Sequence, residues 1–345
     1  MKRWGLLLVN LGTTDAPEAP QVRRYLREFL SDPRVFDIAP WKRAIIVNLF
    51  ILPFRPKQSA HAYRKIWSSR GSPLLYHGLD LVEKLRDVFG GDVQVELAMR
   101  YQRPSVASAL ERLRAVGIDR LVVFPLFPQY SSAAWGSAAE KVFVEAARLW
   151  NVPAIQLVPP FYDHPAFLAA FADLARPVIA DLRPDRVLMS FHGLPERHCV
   201  KSDETGAHCL RAPACCDAIV DANRNCYRAQ CFATARGIAA RLGLAPSRWE
   251  ITFQSRLGSD PWIRPFTDVR VRELPKEGVR RVAILSPAFV ADCLETLEEI
   301  GIRARDDFMA HGGDELRLVP SLNSEEGWVQ AIVQILRETT AIGAG

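Results

Sequence analysis

Short apolar runs alternate with amphipathic stretches along the whole chain. Trp4–Asn10, Val93–Met99, Leu121–Phe127, Ile155–Val158, Val187–Phe191, Trp249–Phe253, Arg281–Leu285 and Leu316–Val319 read as strands, being short, apolar and bounded by turn-forming or polar residues. Helical spacing lies between them. Val22, Tyr25, Leu26 and Phe29 share one face of a helix over Ala19–Leu30, which Asp32-Pro33 ends. Further helices are predicted over Pro104–Val116, Ala138–Trp150, Pro165–Leu182, Asp221–Leu242, Ala291–Ile300 and Glu325–Thr340. Gly71–Leu74 reads as a loop after a helix ending near Trp67. Strands alternating with helices predict an α/β protein with parallel sheets covered on both faces. The pattern occurs roughly twice, so two similar halves facing a cleft are expected.

Composition narrows the classes. The chain has 345 residues, 49% hydrophobic and 24% charged, with a net charge of +5. That suits a globular protein of two ordinary domains. Basic residues are dispersed, so no nucleic-acid partner is expected. The apolar run after Met1-Lys2-Arg3 is too short for a signal peptide and lacks a cleavage site. No apolar run approaches the roughly 20 residues that span a bilayer. The expectation is a cytoplasmic protein able to touch a membrane surface. No Gly-x-Gly-x-x-Gly follows the first strand, so no nucleotide cofactor is expected. The Ala44–Phe54 run is nearly all apolar and bracketed by Lys42, Arg43, Arg55 and Lys57. It suits a buried helix, or an exposed lip with a cationic rim for a flat anionic ligand or a membrane interface.

Two stretches carry candidate chemistry. Val187–Phe191 runs into His192, Gly193, Leu194 and Pro195, which places an imidazole at a strand's carboxyl end, where α/β sheets hold ligands. Ser286–Glu299 follows another strand and opens a helix. On an α-helix Asp292, Glu295 and Glu299 would share a face, as a solvated surface or as a path for a hard cation or protons. Six of the seven cysteines lie between Cys199 and Cys231, with Cys293 apart. In a reducing compartment such a cluster points to metal binding before disulfides.

With these residues in hand, the chain resembles the ferrochelatases, which insert Fe²⁺ into a porphyrin. The matching motifs are Leu8-Val9-Asn10-Leu11-Gly12-Thr13, Tyr25-Leu26-Arg27-Glu28-Phe29-Leu30 and Phe127-Pro128-Gln129-Tyr130-Ser131. They continue with Ser190–Pro195, Phe253-Gln254-Ser255-Arg256 with Pro261-Trp262, and Asp292–Leu297. The resemblance implies two Rossmann-like doubly wound halves of the chelatase fold. Residues 1–160 would form the first, with its lip and with the C-terminal helix within 322–345 packed back on it. Residues 161–321 would form the second, with a Cys-rich insertion over 199–231. It implies His192 and Glu295 as the catalytic pair, His192 as base or as iron ligand, and Asp292 and Glu299 extending an acidic path. Arg100, Tyr101, Tyr130 and Trp262 would line the porphyrin pocket, with Arg64 and Lys65 meeting propionates. It also favours the lip reading of residues 41–57, with peripheral membrane contact. A monomer and a homodimer both remain open.

The chain departs from plainer members between His198 and Cys231. Some ferrochelatases bind a [2Fe–2S] cluster, which four thiolates can hold. Cys209, Cys215, Cys216 and Cys226 are the first choice, with Cys231 as substitute and Cys199 and Cys293 outside the set. A structural zinc ion is the rival, although paired C-x₂-C spacings are absent. Among functions, a coproporphyrin III ferrochelatase, a cobalt or nickel chelatase and an iron–sulfur redox protein are the alternatives to protoporphyrin IX ferrochelatase. Thr13-Thr14 after the first strand, where the coproporphyrin branch is associated with Tyr, favours protoporphyrin.

Overall fold

A computed structural model of the chain describes residues 3–256, 258, 260–340 and 342. Among them are eight strands: β1 (Trp4–Gly12), β2 (Val93–Tyr101), β3 (Arg120–Pro125), β4 (Ala154–Leu157), β5 (Arg186–His192), β6 (Trp249–Gln254), β7 (Arg281–Leu285) and β8 (Glu315–Leu318). They form two four-stranded sheets, ordered β2-β1-β3-β4 and β6-β5-β7-β8, with every pairing parallel. The expected strands are all present, and the two sheets share one order.

Burial on both faces explains the unbroken apolar runs. Leu6 to Val9 are fully buried, and Leu8 pairs with Leu97 on one side and Phe124 on the other. Leu188 and Met189 of β5 are equally buried. In both sheets the chain leaves the central strand to one side, then returns on the other. That reversal leaves a crevice beyond the carboxyl ends of β1 and β3, and of β5 and β7. His192 is the last residue of β5.

The chain divides into two compact units. The first holds the residues up to Phe127, Ser132–Pro160 and those from Ile332 onward; the second holds Pro128–Ser131 and Phe161–Ala331. In the first, Leu7, Val9, Leu121 and Val123 pack against Leu110, Leu113 and Val142. In the second, Leu188, Val282 and Ile284 pack against Val271, Ile300 and Phe308. No described helix is long and apolar enough to cross a membrane.

Three local expectations differ. Gly71–Leu74 is not a lasting loop: Pro73 opens a helix running to Phe89, with Leu74, Leu81, Val82 and Leu85 buried. Proline ends one helix and suits the first turn of the next, because its missing N–H has no partner there anyway. The helix expected over Asp221–Leu242 is broken into a 3₁₀ turn, Asp221–Asn223, and a helix over Tyr227–Leu242. The Asn223 amide donates to the carbonyls of Cys215 and Ala218, which pins the turn to the cysteine loop.

The third difference concerns Ala291–Ile300. Glu295–Ala304 is π-helical and runs into an α-helix over Arg305–Ala310. Asp292 precedes the π segment. Its carboxylate accepts from the Thr296 hydroxyl (3.0 Å), the Ser321 N–H (3.2 Å) and the Asn323 amide (2.8 Å). The stripe of three carboxylates expected for an α-helix therefore does not form. Asp292 anchors the start of the segment, and Glu298 is buried beside Arg303 at 2.7 Å.

Candidate functional site

The second unit places His192 by close backbone approach. The Gly193 N–H donates to the Gln254 carbonyl at 2.6 Å, joining the ends of β5 and β6. A Cβ at Gly193 would lie 2.9 Å from that carbonyl and 3.2 Å from the Trp262 ring, so only glycine fits. Leu194 and Glu196 pair by backbone with Ile263 and Pro261, which brings Trp262 alongside. His192 and Trp262 are both half-buried.

The His192 Nδ1 lies 2.6 Å from the Gly193 carbonyl. A carbonyl can only accept, so Nδ1 donates to it, and in the neutral ring the lone pair is then on Nε2. That nitrogen can take a proton or bind a metal. The ring meets Phe289 edge-on, with centroids 6.2 Å apart.

Buried hydrogen bonds tie this strand end to the π segment. The Gln254 amide accepts from the Ser190 hydroxyl and donates to the Glu295 backbone carbonyl, both at 2.7 Å. Ser190 also meets Thr267 at 2.8 Å. Glu295 and Glu299 are both partly exposed. The Glu299 carboxylate accepts from the Ser255 N–H (2.9 Å) and the Ser255 hydroxyl. Ser255 holds a φ of 63°, a left-handed conformation rare outside glycine. Cys293 is buried beside Glu295, and burial first, then the carboxylate, push its thiol well up. Gln254 and Ser255 were legible only as part of a motif, without a role.

In the first unit, Arg100 and Tyr101 close a buried hub on Asp32. Its carboxylate accepts from Arg100 at 2.5 Å, Tyr101 at 2.9 Å, Ser137 at 2.5 Å and the Arg34 N–H at 2.7 Å. Burial alone would raise the Asp32 carboxyl, but Ser137, Arg34, Tyr101 and Arg100 outweigh it and hold it below the usual range. Tyr101 is fully buried, and burial pushes its phenol up. It packs and bonds inside the unit, while Arg100 keeps a small exposed fraction. Arg64 and Lys65 are exposed at the end of the helix over Arg55–Ile66. Tyr130 is half-buried in the second unit, its N–H donating to Gln230 at 2.6 Å.

The Ala44–Phe54 run is part core and part surface. Val47 and Leu52 are buried against Leu30. Trp41, Leu49, Phe50 and Phe54 are 63–70% exposed, an apolar surface among Lys42, Arg43 and Arg55.

The cysteines between Cys199 and Cys231 form a nest of buried free thiols, apart from Cys293. Cys215 and Cys216 have Sγ atoms 3.7 Å apart, and Cys226 lies close enough to Cys209, Cys216 and Cys199 to interact with each. Cys199, expected outside, thus touches the nest. Cys231 is buried beside Tyr227. The Arg228 guanidinium lies 3.1 Å from the Cys216 Sγ. The Asp203 carboxylate holds the loop by accepting from the N–H groups of Thr205, His208 and Cys209. Burial raises the thiols of Cys209 and Cys215, and the Cys226 contact followed by burial raises that of Cys216. Cys226 is pushed up to about 11, first by Cys199. Among the described residues, no three His, Cys, Asp or Glu side chains are set as a metal site.

Residues 3–340 match the ferrochelatase family. The chain belongs to the ferrochelatases. A ferrochelatase of Coxiella burnetii is 45% identical over 335 residues, covering 97% of this chain and 93% of that protein. Ferrochelatases of Legionella pneumophila (45% over 336 residues, 97% and 99%) and Stutzerimonas stutzeri (46% over 341 residues, 97% and 98%) are similar. In fold the chain resembles SirB from Bacillus subtilis, solved with Fe³⁺, at a TM-score of 0.53 and 16% identity, with 99% and 98% of the two chains covered. The activity is therefore metal insertion into a porphyrin for haem synthesis, with Fe²⁺ as substrate.

Proposed function

We propose that this ferrochelatase acts on protoporphyrin IX, with His192 as the base that removes the pyrrole protons. The observation that carries the base is the Nδ1 contact with the Gly193 carbonyl, which in the neutral ring leaves the lone pair on Nε2. An uncharged imidazole at that point can accept a proton as each pyrrole nitrogen exchanges N–H for iron. Glu295 and Glu299, on one side of the π segment, are read as the path for the incoming cation and outgoing protons. Asp292 serves that path by anchoring the segment's start. Trp262, beside Gly193, and Tyr130 are the favoured porphyrin contacts, with Arg64 and Lys65 for propionates. Arg100 reaches a ligand only through its small exposed fraction.

The loop after β1 supports protoporphyrin. Thr13 is buried and bonded to Ser72 at 2.8 Å, so a compact hydroxyl stands where Tyr marks the coproporphyrin branch. Purified protein given Fe²⁺ without oxygen, with either porphyrin, tests this by the porphyrin absorption bands. Faster turnover of coproporphyrin III would reverse the assignment.

The exposed lip residues are read as a peripheral membrane contact and as part of the porphyrin entrance. Replacing Leu49, Phe50 and Phe54 with Ser should raise the porphyrin KM several-fold and reduce sedimentation with anionic vesicles. Val47 and Leu52 are left intact because they are core. Unchanged KM and vesicle binding would remove the lip from both roles.

The thiol nest is read as a [2Fe–2S] site held by Cys209, Cys215, Cys216 and Cys226, with Cys231 or Cys199 nearest as substitutes. A spacing of 3.7 Å between Cys215 and Cys216 suits two thiolates on one tetrahedral metal, where bonds of about 2.3 Å give sulfurs just under 4 Å apart. Arg228 supplies positive charge beside them. A cluster there would tie the loop to Cys226, the residue just before the helix over Tyr227–Leu242. Because the thiols are raised, loading must release protons, so uptake should weaken as pH falls. Protein purified without oxygen should be reddish-brown with about two irons per chain. Each of the four Cys→Ser changes should bleach it, and Cys293→Ser should not. Colourless protein with stoichiometric zinc would replace the cluster by a structural zinc ion.

A further inference from the structure

A chamber of about 320 Å³ opens beside the thiol nest. Arg211, in the loop between Cys209 and Cys215, forms one wall. Arg228, Arg264 and Glu196 also line it, with apolar residues such as Leu210 and Ile263 making up the rest. Each arginine is held by something other than a carboxylate. Arg228 rests on the Cys216 sulfur at 3.1 Å and over the Phe232 ring at 4.6 Å. Arg264 lies over Phe266 at 4.9 Å. Arg211 reaches the Gly206 carbonyl at 3.4 Å. By contrast, Arg197, Arg224 and Arg256 in the same unit all pair with acids. Three arginine side chains thus line one concavity whose described lining holds a single carboxylate, Glu196.

Guanidinium groups match the planar, paired oxygens of carboxylates and phosphates. A space of this size is near the lower end for small-molecule pockets. We propose that the chamber binds a compact polyvalent oxyanion of the phosphate or carboxylate class. The anion bridges Arg211 on the cysteine loop to Arg264 on the body of the unit. Arg228 stands between the anion and Cys216, so occupancy closes the loop over the nest. Anion binding does not depend on which porphyrin is used or on what the nest holds, and the labelling readout is made on metal-free protein, whose nest thiols are free.

Titration calorimetry on the purified full chain tests it, at constant ionic strength, with inorganic phosphate, pyrophosphate and citrate against chloride. At least one of the three should bind saturably at one per chain, and their order separates phosphate from carboxylate ligands. The double change Arg211→Gln and Arg264→Gln should weaken binding about tenfold or more, as loss of charge-assisted hydrogen bonds predicts. Glu196→Gln should tighten it several-fold by removing the only negative wall. Metal insertion without added anion should stay within twofold in the double variant. Iodoacetamide labelling of the nest cysteines, mapped by mass spectrometry, should slow several-fold when the anion saturates wild type, and should not slow in the double variant. No saturable binding, unchanged binding in the double variant, or weaker binding in Glu196→Gln would each overturn the proposal.

Discussion

His192→Ala should reduce iron insertion by about 10²–10⁴-fold, the usual contribution of a positioned base, while porphyrin binding changes only a few-fold. The side chain is half-buried at the end of β5, and its Nδ1 contact is to the backbone of Gly193. Removing it breaks no side-chain network, so the fold should survive. Gly193 remains fixed by the Gln254 carbonyl, and Trp262 by the backbone pairing of Leu194 and Ile263. The slot therefore stays while the lone pair is lost. Porphyrin affinity from quenching of protein fluorescence, set beside turnover from the absorption bands, separates the two effects. Turnover like wild type would deny His192 the role, and lost porphyrin affinity would make it a binding residue.

Asp32→Ala should lower stability by roughly 3–5 kcal/mol, the range for removing one partner of a buried ion pair. The change leaves the Arg100 guanidinium and the Tyr101 and Ser137 hydroxyls facing a gap. Asp32→Asn keeps one acceptor oxygen and should cost less. The wild type should show a matching pH dependence. The Asp32 carboxyl is held below its unfolded value of about 3.9, so its contribution is full above that pH and drains away as pH falls through the folded value. Denaturant melts from about pH 7 down to about pH 2, a range that reaches below the unfolded carboxyl value, should show a smaller loss on acidification in the alanine variant. A cost under about 1 kcal/mol, ordinary for a surface pair, would mean water replaces the carboxylate.

His192 and the two-sheet plan were legible because both rest on local patterns. A parallel strand covered on both faces must be apolar, and Gly-Pro punctuation marks where it ends. The Asp32 hub was not legible. Asp32-Pro33 reads as a helix stop, and its partners Arg100 and Ser137 lie 68 and 105 residues further on. The π segment was also hidden. Glu295, Glu298 and Glu299 fit an α or a π helix equally as letters, and the choice is made by Gln254 donating to the Glu295 carbonyl and by Asp292 turning to Thr296. The break at Cys226 escaped for a similar reason, since Asn223 acts through carbonyls of the preceding loop.

The first unit takes in residues from Ile332 onward, and the Gln156 side chain donates to the Thr339 carbonyl at 3.0 Å. During synthesis this order has a cost in time. At cellular elongation rates, the stretch between Pro160 and Ile332 takes roughly 10–30 s to be made. Throughout that interval the sheet built first lacks its closing helix residues, while the second unit, Phe161–Ala331 with the already made Pro128–Ser131, can fold as it emerges. The nascent chain should therefore engage chaperones through its older half. A released chain truncated after Ala331 should present a protease-resistant second unit beside a still digestible first one.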